Sequence, residues 1–138
     1  MRNCITVLIV TFFLLSACQT KDSDAITLNQ IVTAFENEQI PIKEFKASRS
    51  IVFGTKLNGT RPKSYVLEDK NVFIYIYSSS NQREKGLEDF VKKTEAYTVV
   101  SYQVYEVKNV LIFYVHEQDL SEEVTYHDQI LKLKTNLE

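Results

Sequence analysis

Tryptophan is absent from the 138-residue chain, and its one methionine is Met1. Any core is therefore built from Val, Ile, Leu, Phe and Tyr. Both cysteines, Cys4 and Cys18, lie within the first eighteen residues. Beyond them no thiol exists for a disulfide, a redox pair or a metal site. The three glycines, Gly54, Gly59 and Gly86, are too dispersed to form a phosphate-cradling loop. The two histidines, His116 and His127, make no His-x-x-x-His pair, and no Gly-x-Ser-x-Gly elbow is present. A net charge of −2 without a basic cluster offers no electrostatic footprint for nucleic acid. On these grounds no catalytic residue, metal ligand or cofactor is expected.

Long apolar runs are also scarce, with one exception at the start. Met1-Arg2-Asn3 carries a single positive charge, and Ile5 to Leu15 is an uncharged run of eleven residues. Ser16 and Ala17 then precede Cys18. A charged start, a short apolar run and small residues at a cleavage site make a secretory signal. The run is too short to span a bilayer, which needs roughly 17–25 residues.

Leu15-Ser16-Ala17-Cys18 resembles the lipobox of bacterial lipoproteins: a branched aliphatic, two small residues, then cysteine. The resemblance implies that Cys18 receives a diacylglyceryl thioether, that the bond before it is cut, and that Cys18 becomes the mature N-terminus. It places the protein on the outer face of the cytoplasmic membrane. Physically, stable anchoring takes about two acyl chains. Size, signal and Lys/Glu/Ile/Asn-rich composition likewise resemble small lipoproteins of low-GC Gram-positive bacteria, a likeness that implies no particular activity.

Residues 1–17 then read as a removed signal, 18–25 as a lipidated N-terminus and polar tether, and 26–138 as one domain. Loss of the signal leaves 121 residues, enough for a sizeable core. Thr27 to Gln39 is predicted helical: Leu28, Ile31, Val32 and Phe35 share one face, Thr27 and Gln30 suit a capping box, and Pro41 ends it. Ile42–Ala47 and Ser50–Gly54 are weak strands, with a turn at Asn58-Gly59. Tyr65–Leu67 and Val72–Tyr77 read as a hairpin, followed by a helix over about 82–95 capped at Asn81. A second hairpin spans Thr98–Val107 and Val110–Val115, and Asp119–Leu137 reads as a terminal helix. The expected class is α+β: about four to five antiparallel strands from two hairpins, with about three helices, in the order α-β-β-β-α-β-β-α.

Val66–Tyr77 and Val104–Val115 agree at six of twelve positions at an offset of 38. Either a ββα unit is duplicated, or two hairpins converge on Glu-x-Lys-Asn turns and β-branched strands.

The strands do not alternate apolar and polar residues as a half-exposed antiparallel sheet does. Either helices divide between the two faces or a long loop covers one, or else one face is open and meets a partner. In the second case the contact residues are Phe73, Tyr75, Tyr77, Tyr102 and Tyr105, since tyrosine joins an apolar ring to a polar tip. Accessibility of Tyr75 and Tyr77 discriminates the two. His116 is expected at a strand end and His127 on a solvated helix face. Two functions follow from different classes. One is a membrane-anchored binding or accessory module with an envelope protein partner. The other is an envelope enzyme or small-ligand receptor with a concave site.

Overall fold

A computed structural model describes residues 21–47, 51–116 and 125–138. Among these, three helices and five strands follow in the expected order: α1 (Leu28–Asn37), β1 (Ile42–Glu44), β2 (Lys63–Leu67), β3 (Lys70–Ile76), α2 (Ser80–Thr94), β4 (Tyr102–Val107), β5 (Val110–Val115) and α3 (His127–Leu137). The five strands form one antiparallel sheet, ordered β1-β2-β3-β5-β4. The protein is α+β, as expected. The signal and Cys18 lie outside the described residues.

The capping box at Thr27 forms in both directions. Its hydroxyl accepts from the Gln30 amide, and the Gln30 side chain accepts from the Thr27 amide at 2.8 Å. Helix α1 ends earlier than its proline, through a left-handed residue. Gln39 sits at φ 57°, its amide bonds to the Glu36 carbonyl, and the Ile40 amide reaches the Phe35 carbonyl at 2.9 Å. That is a Schellman closure with buried Ile40 packed beyond the helix end.

The absent alternation has a direct explanation: both faces of the sheet are covered. Val72, Ile74, Val110, Ile112 and Tyr114 point to one face, where they pack with Ile31 and Phe35 of α1 and Ile130 and Leu133 of α3. Phe73, Tyr75, Leu111, Phe113 and Val115 point to the other, against Phe90 of α2 and against Phe53 and Leu57. Helices divided between the faces is the arrangement realised.

Two expectations need correction. Val52–Gly54 is a single 3₁₀ turn rather than a strand, closed by the Gly54 amide on the Ile51 carbonyl at 2.8 Å. The β2 edge that such a strand would need is already paired with β1. Helix α2 begins before the Asn81 cap expected from sequence; Ser79 is the cap, accepting from the Gln82 amide at 3.3 Å.

The six-residue echo between the hairpins does not survive in three dimensions. In the first hairpin Leu67 pairs with Lys70, so Glu68-Asp69 is the turn and Lys70-Asn71 is strand. In the second Val107 pairs with Val110, so the matching Lys108-Asn109 is the turn. The identical residues therefore occupy different structural positions, two residues out of step. A two-fold relating the antiparallel neighbours β3 and β5 would also leave the following helices on one face. Instead α2 and α3 cover opposite faces. Convergence explains the echo better than duplication.

Candidate functional site

Tyr75 and Tyr77 are buried, and so are Phe73 and Tyr105; of the five aromatic candidates only Tyr102 is partly exposed. The open aromatic face is thus corrected to a covered one. Nor do the five belong together, since Tyr105 packs on the α1/α3 side and the other four on the α2 side.

Their work is structural. The Tyr75 hydroxyl shares its proton between the carbonyl oxygens of Phe53, at 2.8 Å, and Thr55, at 2.7 Å. Tyr77 donates to the Leu57 carbonyl at 3.3 Å. The phenols thereby pin segment 53–57 over the sheet; Tyr75 serves the Phe53 and Thr55 carbonyls, while the Leu57 carbonyl also accepts from the Thr60 amide at 3.0 Å. Burial pushes both phenol pKa values up, followed for Tyr75 by the neighbouring Tyr77 and for both by Asp89, so both remain donors. The pinned segment then turns at Asn58-Gly59, with φ of 43° and 78° in the pattern of a type I′ turn. The Asn58 amide meets the Asp89 carboxylate of α2 at 2.8 Å, and Lys93 reaches the Lys56 carbonyl at 2.7 Å. Beneath lies a ring cluster in which Phe90 stands 4.4 Å from Phe113 and 5.3 Å from Phe53.

The two histidines stand in different surroundings. His116 is buried at the end of β5, where desolvation and then Lys70 lower its imidazole pKa. His127, expected on a solvated face, is half-buried and lies 2.8 Å from the Tyr105 hydroxyl through Nδ1. Among the described residues no three His, Cys, Asp or Glu side chains gather as a metal site. No described helix is long and apolar enough to cross a membrane.

A cavity of about 580 Å³ between β1, β2 and the 3₁₀ turn is ringed by Glu44, Lys46, Arg61 and Lys63, all on the solvated surface. Among the described residues Ser64 is its one buried polar side chain, short of the convergent set that orients a small ligand.

The sheet's two edges differ more usefully. Edge strand β1 has three residues, two of them the exposed Lys43 and Glu44, a common defence against strand addition. The opposite edge, β4, has six. The two-residue turn makes Val107–Val110 a hydrogen-bonded pair, so the backbone groups of Tyr105 and Gln103 also face β5. Those of Tyr102, Val104 and Glu106 point outward and have no backbone partner among the described residues. Beside this edge a groove of about 480 Å³ has Leu87 and Val91 as its apolar floor and Glu84, Glu88, Lys92 and Glu106 as its rim. Val91 is 56% exposed, Tyr97 72% and Val100 48%, so apolar surface concentrates between α2 and the start of β4. At the turn end, Arg83 Nε lies 3.2 Å from the Glu106 carboxylate as an ion pair.

Where the chain enters the domain, it is held by residues that sequence reasoning passed over. The Asp22 amide bonds to the Ser78 carbonyl at 3.1 Å, while its carboxylate accepts from the Ser80 amide in the first turn of α2 at 2.8 Å. Asp24 pairs with Lys108 at 3.5 Å. Buried Asn109 then accepts from the Ile26 amide at 2.6 Å and donates to the carbonyls of Ile26 and Tyr77 at 3.0 and 2.8 Å. Of the expected tether, residues 22–25 lie along the domain rather than free of it. The only sequence signal for this was an Asn at the turn, a residue common there for other reasons.

Comparison with protein-family models, curated proteins and solved structures finds no match to this chain.

Proposed function

We propose that the protein is an exported lipoprotein, anchored through Cys18 to the outer face of the cytoplasmic membrane. Its domain is a binding module that receives an extended segment of an envelope partner along β4. Export and lipidation rest on the signal and on Leu15-Ser16-Ala17-Cys18. The binding surface rests on one observation: a six-residue strand edge with outward backbone groups beside an apolar groove. Strand addition supplies affinity through main-chain hydrogen bonds, and pockets for alternate side chains supply selectivity. Leu87 and Val91 would take apolar side chains. Of the rim carboxylates, Glu84 and Glu106 are paired with Arg83, and Glu88 stands beside Lys92, so the choice of segment rests on the apolar pockets rather than on charge.

The test uses lipidated protein in intact membranes, with a photoreactive residue at position 91 or, as control, at position 43 on the opposite edge. Cross-linking to a discrete partner is expected from position 91 only. Val104→Pro removes one outward amide while leaving the β5 ladder intact, and should reduce that product. Equal capture at both edges, or capture indifferent to Val104→Pro, would sink the β4 reading. Cys18→Ser should leave an unprocessed or released protein; unchanged mature mass and detergent partitioning would sink the anchor.

A further inference from the structure

We propose that the docked N-terminal segment makes the anchor a short strap, which seats the domain on the bilayer by one end: the end bearing the α2 N-terminus and the β4–β5 turn. This rests on lipidation of Cys18. Given that, the reach is set by covalent geometry. Four residue steps separate Cys18 from Asp22, and an extended chain covers about 14 Å in that distance. Asp22 is not free to swing. Its amide and carboxylate are both engaged, on Ser78 and Ser80, and Asp24 and Ile26 follow on Lys108 and Asn109. Three successive attachments tie the entering chain to a single end of the sheet.

The other end carries the Glu68-Asp69 turn. Strand β3 runs between the two ends from Lys70 to Ile76, about 20 Å at 3.4 Å per residue. The far turn is thus beyond the strap's reach when the near end faces the lipid. Charge does not set this orientation. At the near end Lys108 is paired with Asp24, Arg83 with Glu106 and Glu84, and the Asp22 carboxylate is spent on an amide of α2. With the adjacent exposed Lys21 and Lys85 counted beside these groups, that end carries no net charge. The strands then run away from the bilayer, and the β4 edge is presented sideways, to a partner standing in the same membrane.

The absence of thiols beyond Cys18 makes the test direct. Single cysteines introduced as Asn81→Cys, in the first turn of α2, and Asp69→Cys, at the far turn, are both at exposed positions. Each variant of the full lipidated chain is labelled with a fluorophore and reconstituted into phosphatidylcholine vesicles containing a headgroup-nitroxide lipid. Severalfold stronger quenching is expected at Asn81 than at Asp69, unchanged when phosphatidylglycerol is added. Inserting about twelve Gly/Ser residues between Thr20 and Lys21, a coil of roughly 20 Å, should erase the difference. Equal quenching at both positions in protein that floats with the vesicles overturns the orientation. A gradient seen only with phosphatidylglycerol, or one that survives the insertion, overturns the strap. Failure of the protein to float, with a mature mass lacking diacylglyceryl, overturns the lipoprotein reading instead.

Discussion

Replacing Gly86 by alanine sets two effects of opposite sign against each other. Glycine inside a helix costs about 1 kcal/mol relative to alanine, so propensity alone predicts that Gly86→Ala stabilises the protein. The packing predicts the reverse. A Cβ at position 86 would fall on the Oη and Cζ atoms of Tyr77. That ring has little room to yield: it is 5% exposed, stacked 6.2 Å from Tyr75, and donates to the Leu57 carbonyl. Overpacking of this kind costs about 1–3 kcal/mol, and displacing the phenol loses a hydrogen bond of about 1 kcal/mol. Set against the propensity gain, Gly86→Ala should destabilise by about 2 kcal/mol. The melting temperature should fall by about 8 °C for a domain of this size.

The sharper test is a change of sign. Tyr77→Leu removes the two atoms that collide, so in that background Gly86→Ala should stabilise by up to about 1 kcal/mol. The coupling energy between the two sites would then be about 3 kcal/mol, at the upper end for residues in contact. Urea unfolding of the domain without its signal, followed by circular dichroism, measures all four corners of the cycle. Stabilisation by Gly86→Ala in the otherwise unaltered protein would refute the reasoning. So would an undiminished penalty in the Tyr77→Leu background.

Tyr75→Phe leaves the carbonyls of Phe53 and Thr55 without their shared donor, and should cost about 1–3 kcal/mol. Hydrogen exchange should quicken first in segment 53–57, and uniform protection there would count against the pinning role. Asn109→Ala removes three hydrogen bonds from a buried site and should cost about 3 kcal/mol, with early exchange of the Ile26 amide as its signature. Gln39→Gly relieves a left-handed residue and should stabilise by about 0.5–1 kcal/mol in denaturant unfolding; a loss of stability would contradict the Schellman closure. For His116, the folded pKa lies below the unfolded one, so the unfolded state binds the extra proton. Its contribution is complete above about pH 6.5 and declines as pH falls through that value toward the lower folded pKa. The stability slope between pH 7 and 5 should flatten in His116→Gln.

Local signals proved readable where a few neighbouring residues decide the outcome. The Thr27–Gln30 box, the Asn58-Gly59 turn and the β-branched runs of β3 and β5 are of this kind, because capping, turn conformation and strand preference act over four or five residues. Ser79 was missed as a cap since Asn81 with Glu84 offers the same chemistry two residues later. The incoming Asp22 carboxylate, remote in sequence, accepts from the Ser80 amide and adds to the Ser79 cap at the earlier start. The Val52–Gly54 segment reads as strand by composition, yet its would-be neighbour β2 already has β1 at its edge. For the candidate site residues the sequence left two alternatives, cover by the chain itself or an open face, and burial of Phe73, Tyr75, Tyr77 and Tyr105 decides for the first.

What the sequence determined by itself is the α+β class, the order of elements and the requirement that both sheet faces be covered, because continuous apolar strands cannot face water on either side. Its first eighteen residues carry the case for export and lipid, and they remove thiol chemistry from everything that follows. Tertiary structure alone decided what does the covering. Whether Tyr75 and Tyr77 meet a partner or their own chain depends on carbonyls twenty residues away, and pairing across such a distance leaves no mark in a local pattern. The place of β4 as an outer strand and the docking of Asp22 are decided the same way, by the order of strands in the sheet and by where the chain enters it.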